Sequence, residues 1–181
     1  MLVVCPHLQS LHVIPFKNMD LEKRNIELTP FTGLVWRIMF SDQIQQSCEP
    51  VCSPIGRFHH SQQVALYTSC TQEGAGVAIK RYLKSDDPVR IIVPLQIEAD
   101  YIYDIRKTDY SSQASVVWQD CVAKGEPAPT WAYSDTAREA GARGMLYASR
   151  SRPDLTHLVL FDVSMGIVRQ KGDAKIWNHG L

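Results

Sequence analysis

The sequence predicts a single-domain α+β protein on a curved, split β-sheet with short flanking helices. Its 181 residues suit one domain large enough for a proper core. Apolar spacing switches between alternation and the three-four repeat of helices, without regular strand–helix alternation. The chain also lacks a Gly-x-Gly-x-x-Gly turn, which removes support for a doubly wound dinucleotide fold.

Composition narrows the function classes. Hydrophobic residues make up 45% and charged residues 21%, as in an ordinary globular protein. Lys plus Arg equals Asp plus Glu at 19 each, and that neutrality argues against a nucleic-acid binder. No apolar run is long enough to span a bilayer, and Met1 to Phe16 lacks the basic start of a signal peptide. Five irregularly spaced cysteines argue against a disulfide framework and for the cytoplasm. Cys48 and Cys52, near His59 and His60, fit no standard zinc spacing and read as loop residues.

Asn18 to Ile26 reads as a short charged helix bracketed by Pro15 and Pro30, within an N-terminal extension over residues 1–30. Trp36 to Phe40 and Val64 to Ser69 read as strands. Thr71 is placed as the N-cap of a helix whose apolar face is Ala75, Ala78, Ile79, Tyr82 and Leu83. Gly74 and Gly76 weaken that helix, serving either tight packing or the approach of a phosphate. Val89 to Ile97, with Pro94 at an edge or bulge, and Tyr101 to Ile105 read as two separate strands. A helix is expected from Ser112 to Gly125, then a rigid linker over Pro127 to Trp131 and a short helix capped near Ser134. Met145 to Ala148 and His157 to Val163 read as buried strands. The domain proper is expected over residues 31–165, and 166–181 as a polar tail whose Trp177 docks on something.

Chemistry concentrates between Trp36 and Ser69. Arg37 and Arg57 each sit beside apolar residues in strand-like segments. A buried guanidinium cannot shed its charge, so it needs an anion, and its planar fork suits phosphate or carboxylate. Either arginine alone fits an internal ion pair; two with Tyr67 in one segment favour a ligand pocket.

These pieces resemble the RES domain, a family named for its Arg, Glu and Ser positions. The resemblance runs through Arg37, Gly56-Arg57, Ala65-Leu66-Tyr67, Gly144-Met145-Leu146-Tyr147-Ala148-Ser149 and Leu158-Val159-Leu160-Phe161. It covers roughly Leu34 to Asp162 and is carried by order and spacing. Three positions depart from the pattern: Ile38 stands for a Tyr, Ile55 for a Gly, and Ala78 where the Glu usually falls. Glu73 is the nearest carboxylate, with Glu98 of Gln96-Ile97-Glu98 behind it.

The resemblance implies a fold like that of ADP-ribosyltransferase toxins, with NAD as substrate cleaved at the nicotinamide–ribose bond. It implies catalytic roles for Arg37, Tyr67, Ser149 and Glu73, and cofactor contacts from Arg37, Gly56, Arg57, Tyr67, Ser69 and Ser149. The ADP-ribose acceptor is a protein, phosphate or water. The implied partner is a small antitoxin, of the Xre helix-turn-helix type. Two other readings stay open: a catalytically inactive NAD or ADP-ribose-binding module, and a structural domain whose arginines form internal ion pairs.

Overall fold

The structure, a computed structural model, describes residues 26–108 and 115–178. The charged helix expected over Asn18 to Ile26, Ile26 aside, lies outside the described residues, as does the expected helix start at Ser112. Seven strands form one sheet: β1 (Leu28–Phe40), β2 (Leu66–Ser69), β3 (Arg90–Asp104), β4 (Gly144–Ala148), β5 (Thr156–Leu160), β6 (Val168–Gln170) and β7 (Lys175–Ile176). Among the described residues three α-helices flank it: α1 (Gln72–Ile79), α2 (Trp118–Ala123) and α3 (Pro129–Glu139). The α+β class expected from the sequence holds. Among the described residues no helix is long and apolar enough to cross a membrane.

Pairing runs from β1 through β2, β5, β4 and β3 back to β1, closing a ring of five strands. Most contacts are antiparallel; β3 and β4 alone pair in parallel. The ring needs β3 to change neighbours along its length. It pairs with β7 and β6 at Ile91 to Ile97, then with β4 from Ile102.

A bulge makes that change. Asp100 and Tyr101 of β3 together face Pro30 of β1, between the pairs Thr29↔Ile102 and Phe31↔Ala99. Tyr101 takes φ +61, and the extra residue bends and twists the strand. The two strands expected over Val89–Ile97 and Tyr101–Ile105 are therefore one. The bulge hides the join, because Tyr101 adopts a left-handed conformation usually signalled by glycine or asparagine.

Pro94 is not at an edge. Its carbonyl accepts from the Lys171 N–H at 2.9 Å, on the side where the ladder breaks between β6 and β7. A residue's N and C=O point to the same neighbour in a ladder, so the missing N–H faces that break and costs little. Residues 168–177, expected as part of a tail, supply two strands and put Trp177 into the core against α1.

One apolar cluster, with Val35, Val93, Leu95, Leu158 and Leu160, packs on one side of the sheet. A second lies under α3 and contains Phe58, Tyr133, Tyr147 and Val159. A third lies under α1, where Ala75, Ile92 and Trp177 are buried. Thr71 caps α1 as expected, accepting from the Gly74 N–H at 2.9 Å. A Cβ on Gly74 would crowd Thr71 Oγ1 at 3.0 Å and Ser69 Cβ at 3.3 Å, so packing favours glycine there, whereas one on Gly76 would make only ordinary contact with Trp177 at 3.4 Å. Helix α3 starts at Pro129 rather than near Ser134, with proline in the first turn where its missing N–H is harmless.

Gly144 stands opposite Leu160 in the β4–β5 ladder. A Cβ there would stand 2.7 Å from the Val159 carbonyl oxygen, a backbone atom that cannot move aside. Gly144→Ala is expected to lower stability by about 1–3 kcal/mol in urea unfolding, with an unchanged m-value.

Candidate active site

A cavity of about 780 Å³ opens on the face shared by the second and third clusters. Its floor is one row of side chains across four strands. Trp36 of β1 pairs with Ser69 of β2, Ser69 with His157 of β5, and His157 with Tyr147 of β4; all four line the cavity. Because neighbours in register put their side chains on one face, the pairing alone assembles this row.

One wall is the turn Gly56 to His60, which carries Arg57. The Gly56 N–H donates to the His59 carbonyl at 2.8 Å, closing a tight bridge. A Cβ on Gly56 would lie 2.3 Å from His59 Cε1, so no larger residue fits. Inside the turn, His59 Nε2 lies 2.9 Å from the Ser53 carbonyl, which can only accept, so Nε2 carries the proton. Burial holds His59 below its usual pKa and neutral, which makes Nδ1 an acceptor. The Tyr67 hydroxyl therefore donates to Nδ1 at 2.9 Å while accepting the Phe58 N–H at 2.9 Å.

From outside, α3 braces the same turn. Thr130 Oγ1 donates to the Arg57 carbonyl and Trp131 Nε1 to the Gly56 carbonyl at 2.8 Å. Asp135 accepts from His60 at 2.9 Å and from Gln63 at 3.0 Å, and Arg138 donates to the Val64 carbonyl at 2.8 Å. Arg57 is thereby held with its guanidinium 4.9 Å from the Phe58 ring and 5.0 Å from that of Tyr147. Burial lowers its pKa, and an anion in the cavity would repay that desolvation.

Six cationic side chains line the cavity, Arg37, Arg57, Lys80, Arg81, Arg90 and Arg150, of which Arg90 is already paired with Asp87 at 2.8 Å. Among its described lining residues there is no Asp or Glu. Clefts lined by one sign of charge concentrate ligands of the other. Tyr82 and Trp118 add aromatic surface at the same cavity.

The residues singled out from sequence separate into groups. Gly56, Arg57, Tyr67, Ser69 and Ser149 all line the cavity. Arg37 lines it too, but its Nη1 donates to the carbonyls of Gln46, Ser47 and Glu49 at 3.1, 2.9 and 2.7 Å. That fastens the loop after β1, a structural duty alongside any ligand contact. Glu73 is exposed and accepts from Arg152 at 2.8 Å, and it is not among the lining residues. Glu98 is likewise exposed, paired with Arg169. No group of His, Cys, Asp and Glu able to hold a metal occurs among the described residues.

Sequence reasoning missed His157 and the bracing residues of α3. His157 Nδ1 lies 2.6 Å from Ser69 Oγ, and the residue is 3% exposed. Its one sequence signal is a lone titratable residue beside the apolar run Leu158-Val159-Leu160. The bracing contacts join residues more than seventy positions apart, beyond any local pattern.

The RES domain model matches residues 34–177, most of the chain. The chain belongs to the RES domain family. No curated protein matches the sequence. A chain of the crystal structure of the M. tuberculosis MbcT-MbcA toxin-antitoxin complex superposes with a TM-score of 0.53 at 10% identity. The match covers 84% of this chain and 87% of that one, and at this identity it speaks for the fold alone. The family match extends past Asp162 through β6 and β7 to Trp177, so this RES domain includes the strands that the sequence left in a tail.

In this RES domain, Tyr67→Phe removes the hydroxyl that satisfies both the Phe58 N–H and His59 Nδ1. A loss of about 1–3 kcal/mol is expected in chemical denaturation. Acid should weaken the domain as well. Burial, then the nearby Arg57 charge, hold the pKa of His157 down at about 4. The unfolded chain, with His near 6.5, binds more protons between those values, so this contribution is present above about pH 6.5 and lost as pH falls toward 4. It is on the order of 3 kcal/mol. Denaturation midpoints should fall between pH 7 and 4.5, and less steeply in His157→Asn.

Proposed function

We propose that this RES domain protein is the toxin of a bacterial toxin–antitoxin pair that cleaves NAD at the nicotinamide–ribose bond and passes ADP-ribose to an acceptor. The observation that carries this reading is the cavity of about 780 Å³ with six cationic lining residues and aromatic surface. Its volume suits a ligand of dinucleotide class. The cations answer the pyrophosphate, and Tyr82 and Trp118 offer faces on which planar bases stack.

Nicotinamide leaves as a neutral group from a positively charged ring, so its departure needs no strong acid. The protein's tasks are to fix the pyrophosphate and to orient a ribose that becomes oxocarbenium-like. Arg57, presented by its braced turn, takes the first task. Arg37 assists from β1 while it holds its loop. Ser149, buried in the lining, contacts a ribose hydroxyl or phosphate, and Ser69 and Tyr67 face the same space. Glu73 plays no direct part in this scheme, since its carboxylate is engaged by Arg152 at the surface.

The fold shared with a chain from a toxin–antitoxin complex supports a protein antitoxin as partner. We place its type with the Xre class and the site of action in the cytoplasm, where NAD is available. The acceptor is a protein, phosphate or water. The competing reading is a catalytically inactive NAD or ADP-ribose-binding module, which the same cations would serve.

Incubation of the purified chain with NAD, following free nicotinamide, separates the two. Turnover supports the enzyme, and NAD binding without nicotinamide release supports the module. Arg57→Ala is expected to weaken NAD binding at least several-fold, since a charged hydrogen bond contributes about 1.5–3 kcal/mol. Arg37→Ala should lower both affinity and thermal stability, because its loop loses three hydrogen bonds. Glu73→Gln should slow nicotinamide release by no more than about tenfold. Complete loss of turnover there, with binding intact, would make Glu73 catalytic.

A further inference from the structure

We propose that His157, oriented by Ser69, is the base that takes the proton from the acceptor as it captures ADP-ribose. The assignment rests on the reading of the cavity as a site of NAD cleavage.

The geometry leaves little choice. An acceptor hydroxyl or water must lose a proton when it bonds to the ribose carbon, and the described lining of the cavity contains no carboxylate to receive it. Two histidines line the cavity. His59 is committed at both nitrogens, to the Ser53 carbonyl and to the Tyr67 hydroxyl. His157 commits only Nδ1, to Ser69 Oγ at 2.6 Å, and Nε2 makes no hydrogen bond to another described residue. In the tautomer with Nδ1–H donating to Ser69, Nε2 presents its lone pair.

Position supports the role. His157 sits mid-row on the cavity floor, between Ser69 and Tyr147, in register with both. Arg57, over the Tyr147 ring, is the charged group that bears on it. That cation and burial keep the imidazole neutral and therefore able to accept.

The ribose C1′–N bond breaks and its electron pair goes to nicotinamide. A pair on the acceptor oxygen forms the C1′–O bond, and that oxygen's proton moves to Nε2. The imidazolium then releases the proton to water. An oxygen bonding to an oxocarbenium carbon is strongly acidic, so even a weak base suffices.

The test measures NAD affinity by calorimetry and nicotinamide release in the full chain. His157→Asn, whose amide can keep the hydrogen bond to Ser69, is expected to bind NAD within about threefold of wild type. Its turnover should fall by about 100-fold or more. Imidazole at tens of millimolar should restore part of the turnover of His157→Ala, which a merely structural role would not permit. Ser69→Ala should lower kcat by a larger factor than it weakens NAD affinity. Near wild-type turnover in His157→Asn overturns the assignment. So does parallel loss of affinity and turnover in both His157 variants without rescue. A wild-type chain that binds NAD but never releases nicotinamide overturns the parent reading instead.

Discussion

The Tyr67 hydroxyl holds the site together. It spends its proton on His59 and a lone pair on the Phe58 N–H, and so fixes the inner side of the turn that carries Arg57. Burial keeps the phenol from ionising, which preserves the donor. The outer side is fixed by α3 through Thr130, Trp131, Asp135 and Arg138. A guanidinium with several rotatable bonds is thereby presented at low entropic cost, as anion recognition requires.

The sheet supplies the other half of the site. Closing the strands into a ring requires β3 to leave β6 and join β4, and the bulge at Asp100–Tyr101 allows it. With β4 and β5 in register, Ser69, His157 and Tyr147 stand in one row beneath the braced turn. Floor and wall thus come from separate local solutions that meet at the cavity. The cations around it, Arg90 with its Asp87 partner aside, favour an anionic ligand, and their field will be screened as salt rises.

Much of this was legible in the chain, for physical reasons. Thr71 announced its helix because a cap is local chemistry: its hydroxyl meets an N–H three residues on. Gly56-Arg57 and Tyr67 lay close enough in sequence to be read as one unit, and they do face one cavity. Tyr101 concealed the bulge, since nothing in its identity announces a positive φ, and one strand was read as two. Pro129 was read as part of a linker although it opens α3. His157 became visible only through its cross-strand neighbours, and the pairing of Glu73 with Arg152, seventy-nine positions on, has no local signal either. Contacts of long sequence separation are what one chain, read locally, withholds.

The proposed chemistry depends on where the pyrophosphate sits. The most direct measurement is a crystal structure of the chain with ADP-ribose. It should place pyrophosphate oxygens within hydrogen-bond distance of the Arg57 guanidinium, with the ribose that carried nicotinamide above Ser69 and His157. ADP-ribose bound outside this cavity, with Arg57 making no contact to it, would contradict the account.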